Sequence, residues 1–467
     1  MTSTNANENE TLDVHTTEEE SLGEKEFEEG LRYEKGEGVE KDTRKAFECF
    51  HKAACNGHIA AMNRVGCCYR DGVGATKDCK KAFNWFTKAA HNGDASAMFN
   101  VGWCFDAGEG VTQNKTKAFE WWLKSAENGH TKAMHKVGWC YSDGKEVTQD
   151  LAKAYEWFSK SAENGDADGM FDVGWCHSCG YGVEQDQTKA FEWYLKSAEN
   201  GNTAAMHKVG WCYSDGKEVT QDLAKAYEWF SKSAENGDAD GMFDVGWCYS
   251  CGYGVEQDQT KAFEWYLKSA EKGNTVAMHK VGWYYSDGKE VTQDLAKAYE
   301  WFSKSAENGD ADGMFDVGWC YSCGYGVEQD QTKAFEWYLK SAEKGNTVAM
   351  HKVGWYYSDG KEVTQDLTKA YEWFSKSAEN GDADGMFDVG LCYSNGWGVT
   401  QDKIKAFEWY LKSAEKGNAD AMNNVGVCYR DGVGVSKDLE KAREWFTKAS
   451  NSGCTEAKEN LMSLGQK

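Results

Sequence analysis

Residues Asp94–Gly129 read DASAMFNVGWCFDAGEGVTQNKTKAFEWWLKSAENG. Met98, Val101, Gly102 and Phe105 stand at i, i+3, i+4 and i+7, which is one face of a first helix. Gly108 and Gly110 break that helix. Asn114, which is Asp in most other copies of the stretch, is placed to cap a second helix through its side-chain oxygen. In the second helix Ala118, Phe119, Trp122 and Ala126 form the inner face, and Asn128-Gly129 ends it. The stretch is a helical hairpin with an apolar face it cannot cover alone.

Copies supply the cover. The Val-Gly pair recurs from Val65-Gly66 to Val425-Gly426 every 36 residues without a slip, and eleven of the thirteen methionines fall on one position, Met62 to Met422. This gives twelve full units and a terminal helix: an acidic tail over 1–24, a repeat array over 25–455, and a capping helix and tail over 456–467. A chain of 467 residues would ordinarily split into about three domains, but a stacked array grows without closing a single core. There is no proline, which helices joined by glycine turns can do without.

The formal net charge of −24 repels phosphate backbones and anionic lipid, so nucleic acid is not an expected partner. Residues 1–30 alone hold ten acidic side chains against one lysine, and the chain opens on the polar run MTSTNANENE, so a solvated, disordered tail is expected there. No apolar run approaches a membrane span and the N-terminus lacks a signal-peptide core, so neither membrane insertion nor export is expected. Seventeen cysteines, an odd number, fit a reduced cytoplasmic setting in which thiols serve as small buried apolar groups.

These units resemble the Sel1-like repeat, a relative of the tetratricopeptide repeat. The resemblance rests on the run A-x-x-x-(V)-G-x-x-Y-x-x-G-x-G-V-x-x-D-x-x-K-A-x-x-W-(Y/F)-x-K-(S/A)-A-x-x-G, repeated across residues 25–465. It implies an all-α, right-handed α/α solenoid (superhelix) of about twelve 36-residue hairpins whose first helices line a concave surface. It also implies an adaptor or scaffold without chemistry of its own. One departure stands out. Most loops read GxG, as in Gly180-Tyr181-Gly182, but four read Gly144-Lys145-Glu146 or its equivalent at Glu218, Glu290 and Glu362. If the second glycine sits at positive φ, glutamate there costs about 1 kcal/mol, so the loop is expected to turn differently in alternate repeats.

The array also has a 72-residue register, since HKVGWCYSDGKEVTQD at His135 returns almost letter for letter at His207, His279 and His351. Three residues before the Val-Gly glycine sit Phe99, His135, Phe171, His207, Phe243, His279, Phe315 and His351. Directly after it sit Trp103, Trp139, Trp175, Trp211, Trp247, Trp283, Trp319 and Trp355. Measured from Met98, Phe99 lies at about 100° and Trp103 at about 140°, off the core face on one flank. On the family's geometry that flank faces the groove, suited to a protein or peptide ligand with apolar and basic side chains. The alternative is that these rings pack between neighbouring first helices and meet no ligand. Trp103 to Trp355 give way to Cys67, Leu391 and Val427 in flanking repeats, which favours the groove. The second-helix tryptophans, Trp85 to Trp445 in steps of 36, recur in all these repeats and read as core.

Chemical motifs fail on inspection. Cys176/Cys179, Cys248/Cys251 and Cys320/Cys323 are C-x-x-C pairs two repeats apart, about 20 Å, too far to share a zinc. NGDADGMFDVGW at Asn164 imitates the start of a calcium loop but puts Trp175 where a glutamate is needed, so it reads as a turn with Asp166 capping a helix. Ser269-Ala-Glu-Lys272 matches S-x-x-K by chance. Cysteine-rich family members linked to penicillin binding close each hairpin with a disulfide, but the matching position here is alanine, as in Lys124-Ser125-Ala126. No carboxylate or cysteine joins His135 and Trp139 at ligand spacing, so a groove-lining imidazole that makes binding pH-sensitive is the reading. The expectation is a non-catalytic adaptor with no metal and no cofactor. The rivals are an enzyme-linked regulator or hydrolase of the cysteine-rich type, and a purely structural spacer.

Overall fold

A computed structural model describes residues 10–465, with side chains over 22–464. It contains 25 helices and, among the described residues, no strand. The chain forms two compact units, residues 1–233 and 234–467, each an all-α repeat solenoid.

The hairpin Asp94–Gly129 shows how a repeat is built. Its first helix is Ala95–Ala107 and its second Lys115–Glu127. Asp94 caps the first, accepting from the Ala97 amide at 2.6 Å, and Asn114 caps the second, accepting from the Lys117 amide at 2.9 Å. Gly108, at φ 75°, ends the first helix in the left-handed conformation. Ala118, Phe119, Trp122 and Ala126 are buried as expected. On the first helix Met98, Val101 and Gly102 are buried, but Phe105 is half-buried and Cys104 takes its place in the core.

The Val-Gly glycine is a seat for a ring. A Cβ on Gly138 would stand 2.5 Å from the Phe158 ring, and one on Gly174 would stand 2.7 Å from Tyr194. Only glycine lets the second-helix aromatic lie flat on the first helix. This corrects the reading of the second-helix tryptophans as core. The fully buried ring is the next residue, Phe158 at 0% exposure, whereas Trp157 is half-buried at the surface with the Lys160 ammonium 4.2 Å from its ring centre. A core layer joins the second helix of one repeat to the first helix of the next, as Ala118, Trp122 and Ala126 do with Met134, Val137 and Cys140.

The loop glycines act by close approach as well as by φ. Gly182 lies at φ 69°, and a Cβ on it would fall on the Leu151 carbonyl oxygen, where the preceding second helix begins. Glu146, at the same place one repeat earlier, carries a Cβ, and its loop differs. The Gly108 and Glu109 amides both bond the Cys104 carbonyl (2.9 and 3.0 Å), but the Gly144 amide reaches Cys140 at 3.1 Å without Lys145 joining it. The Gly144 loop is also tighter, with Gln149 Cβ 2.8 Å from a Cβ placed on the glycine.

Of the acidic stretch 1–24, residues 1–9 lie outside the described residues. Residues 10–24 open the helix Glu10–Lys35 in place of the irregular chain expected. The latter half of that helix is the first helix of the first repeat, with Phe27 against Phe50 and stacked on His58 at 4.3 Å. An anchored helix extends cheaply backwards, because propagation needs no new nucleus. The terminal helix is Thr455–Gly465, held by the buried Ala457.

Candidate protein-binding surface on the first helices

None of the sixteen Phe/His and Trp positions is buried, but Phe99, Phe171, Phe243, Phe315, Trp139, Trp175 and Trp319 pack against the edges of the buried layers. Trp103, Trp283 and Trp355 are 43%, 37% and 48% exposed. Trp139, Trp175, Trp211, Trp247 and Trp319 are half-buried, as are Phe99, Phe171, Phe243, Phe315, His135, His207, His279 and His351. The tryptophans thus combine packing on their neighbours with exposure to water.

Two side-chain sets alternate along this flank. In a histidine repeat the tryptophan leans on the second-helix ring: Trp139 on Phe158 at 5.7 Å, Trp211 on Phe230 at 5.6 Å, Trp283 on Phe302 at 5.8 Å and Trp355 on Phe374 at 6.0 Å. In the phenylalanine repeats from Phe171 onward the phenylalanine takes that place, Phe171 on Tyr194, Phe243 on Tyr266 and Phe315 on Tyr338, each at 5.3 Å, whereas in the Phe99 repeat Trp103 still leans on Trp122 at 5.6 Å. In those later phenylalanine repeats the tryptophan is displaced toward the loop, where Trp175 meets Tyr181, Trp247 meets Tyr253 and Trp319 meets Tyr325, each at 4.8 Å. Neighbouring tryptophans also stack in pairs, Trp139 on Trp175 and Trp283 on Trp319, both at 6.0 Å. The row is therefore a series of three-ring ledges.

The histidines have a partner that helical spacing does not reveal. His135 Nε2 lies 2.6 Å from Asp172 Oδ2 on the next first helix, and His279 and His351 meet Asp316 and Asp388 at 2.6 and 2.7 Å. This overturns the inference that no carboxylate joins them. Asp172 is 4% exposed, and burial pushes its carboxyl up against the opposing pull of His135 and Trp139. Burial draws the His135 imidazole down, but the hydrogen bond and charge of Asp172 outweigh it, leaving the imidazole above its ordinary value. The signal was present in the sequence: the residue before Val-Gly alternates Lys136, Asp172, Lys208, Asp244 in step with His and Phe. At the array's ends the same ladder position pairs Asn63 with Asn100 (2.9 Å) and Asn423 with Asn460 (3.0 Å).

In the second unit hollows open beside two of the exposed tryptophans. One, of about 620 Å³, is lined by Tyr338, His351, Lys352, Trp355, Tyr356 and Glu362 among others, and its counterpart beside Trp283 and Tyr284 is about 270 Å³. Tyr356 and Tyr284 stand where earlier copies carry cysteine, and their hydroxyls donate to Gln331 and Gln259 at 2.9 and 3.0 Å.

The motifs set aside on sequence have structural roles. Asp166 accepts from the Gly169 amide and from Ser161 Oγ, and Asp168 accepts from Asn202. Ser269 is buried and donates to the Ala239 carbonyl at 2.6 Å. Cys176 is buried and Cys179 exposed, and all seventeen cysteines are free thiols. Among the described residues no cluster of three or more His, Cys, Asp or Glu could hold a metal, and no helix is long and apolar enough to cross a membrane.

The Sel1 repeat family model matches residues 29–58 and then eleven consecutive windows from 59–94 to 419–454. The chain is similar to the crystal structure of c5321, a protective antigen present in uropathogenic Escherichia coli strains, at 34% identity and TM-score 0.72 over 90% of each chain. It is also similar to a Sel1 repeat protein from Oxalobacter formigenes, at 30% identity and TM-score 0.53 over 66% of this chain and 90% of that one. No curated protein matches the chain.

Proposed function

The chain belongs to the Sel1 repeat family, and from that premise we propose that it is a non-catalytic adaptor binding a protein through the aromatic flank of its first helices. Sel1 repeat proteins generally mediate protein–protein interactions. The observation that carries the finer reading is the exposure of Trp103, Trp283 and Trp355, at 43%, 37% and 48%, in repeats whose own cores are closed. Large rings left half in water at a fixed register are the material of binding anchors.

The ligand is an extended peptide or helix carrying apolar and basic side chains. Apolar groups lie on the three-ring ledges and enter the hollows beside Trp283 and Trp355. Basic groups are favoured by the net charge of −24. A cytoplasmic setting suits seventeen free thiols.

The test is affinity capture with Trp103, Trp283 and Trp355 all changed to Ser, circular dichroism establishing that the variant is folded. A partner held by the parent and lost by the folded variant supports the reading. An unchanged set of partners removes the flank as the site, and loss of all partners from both proteins leaves a spacer.

A further inference from the structure

Three carboxylates sealed between consecutive repeats each meet an imidazole. Asp172, Asp316 and Asp388 are 4%, 3% and 4% exposed, while the side chains of His135, His279 and His351 keep 26%, 18% and 17% of their surface in water. The imidazoles can therefore exchange protons with solvent, but the carboxylates are shielded. An N···O separation of 2.6–2.7 Å requires a hydrogen between the two atoms. A second donor, the indole Nε1 of Trp139, Trp283 or Trp355, stands 3.1–3.2 Å from the same Nε2. Nε2 cannot both donate to the carboxylate and accept from the indole. Nε2–H therefore points at the aspartate, and the indole N–H of Trp139 and Trp283 turns toward Asp172 and Asp316.

The open variable is Nδ1. Without a proton there, each pair is a buried site of net charge −1; with one, it is neutral overall. The surroundings favour the proton. Asp166 and Asp168 face His135 from the start of the next first helix, Asp312 accompanies Asp316, and Asp382 and Asp384 accompany Asp388. Behind His135 lies the Phe158 ring, and Cys176, a thiol pushed up to about 12 by burial, stays neutral beside Asp172. The nearest cation in sequence, Lys136, is turned over the Trp103 and Trp122 rings.

We propose that each His–Asp–Trp contact is a proton-operated latch between consecutive repeats, closed by mild acid and loosened as the imidazole loses its second proton. The sign follows from the pair. A histidine that binds its proton more tightly when folded adds stability that is full below the unfolded value of about 6.5 and is lost as pH rises through the folded one. A buried carboxyl that resists ionisation acts in the same direction. The latch stands whether or not the flank binds a protein.

The experiment is an NMR titration of the His135 Cε1–H signal in the full-length chain, parent against D172N. The expected result is a midpoint above the ordinary imidazole value of about 6.5 for His135, falling when Asp172 is changed. Alongside it, the urea midpoint should be higher at pH 6 than at pH 8 in the parent, and that difference should shrink in the triple variant H135N/H279N/H351N. Each unit of raised midpoint corresponds to about a tenfold shift per latch. A parent His135 midpoint at or below about 6.5, or a pH difference unaltered in the folded triple variant, overturns the proposal. If the triple variant does not fold, the His135 titration in D172N decides.

Discussion

Alanine at Gly182 and alanine at Gly165 should have very different costs, although both glycines sit at positive φ, 69° and 85°. The shared conformational term is about 1–2 kcal/mol for a side chain in the left-handed region. Around Gly165 nothing lies within 4 Å of a new Cβ. At Gly182 the Cβ would fall on the Leu151 carbonyl oxygen, with the Leu151 carbonyl carbon 2.6 Å away, and backbone at a helix start cannot rotate aside as a side chain can. Relieving that overlap means moving the loop off the preceding repeat, which adds about 1–3 kcal/mol. Gly165→Ala should therefore lose about 1–2 kcal/mol and Gly182→Ala about 2–5 kcal/mol. Urea unfolding followed by far-UV circular dichroism gives the two totals. Hydrogen exchange should localise the second loss to the amides around Leu151 and the Gly180–Gly182 loop. Equal losses at the two sites would refute the close-approach argument and leave conformation alone as the reason for the second glycine.

Phe158→Ala should cost about 3–5 kcal/mol and Trp157→Ala distinctly less, since Phe158 is fully buried on the Gly138 seat whereas Trp157 is half-buried under Lys160; denaturant midpoints of the two variants rank them. Cys140, buried and pushed up to about 12, should resist iodoacetamide at pH 8, where its thiolate fraction is on the order of 10⁻⁴, while the exposed Cys179 reacts; peptide mass spectrometry of the native protein reads both.

Much of this fold is written locally. The first-helix face at Met98 and Val101, the caps at Asn114 and Asp166, and the glycine stops depend on residues within one turn, so spacing reveals them. Two features escaped because they are settled between elements. Trp157 and Phe158 are adjacent and differ by about 100° around their helix, and only the ring seat at Gly138 decides which is buried. Tryptophan recurs at the Trp157 position from Trp85 to Trp445 because it covers the neighbouring layer, and recurrence alone cannot separate that from core. The His135–Asp172 contact joins residues 37 apart, one on each of two stacked helices, so no window of one helix contains it. The Lys/Asp alternation before Val-Gly is its trace, readable once the stacking register is known.

The paired interfaces impose a parity rule on the length of such an array. A histidine repeat expects an aspartate after it, and a phenylalanine repeat expects a lysine, as Phe99 is followed by Lys136. Losing a single repeat from the interior would set His135 against Lys208, or Phe99 against Asp172, leaving either an imidazole facing an ammonium instead of its carboxylate or a sealed carboxylate without its imidazole. Losing or gaining two together changes nothing at any joint. Lengthening or shortening the array in steps of 72 residues therefore keeps each of these joints matched, whereas a step of 36 mismatches one. The asparagine pairs at Asn63–Asn100 and Asn423–Asn460, each self-complementary, mark where that arithmetic stops.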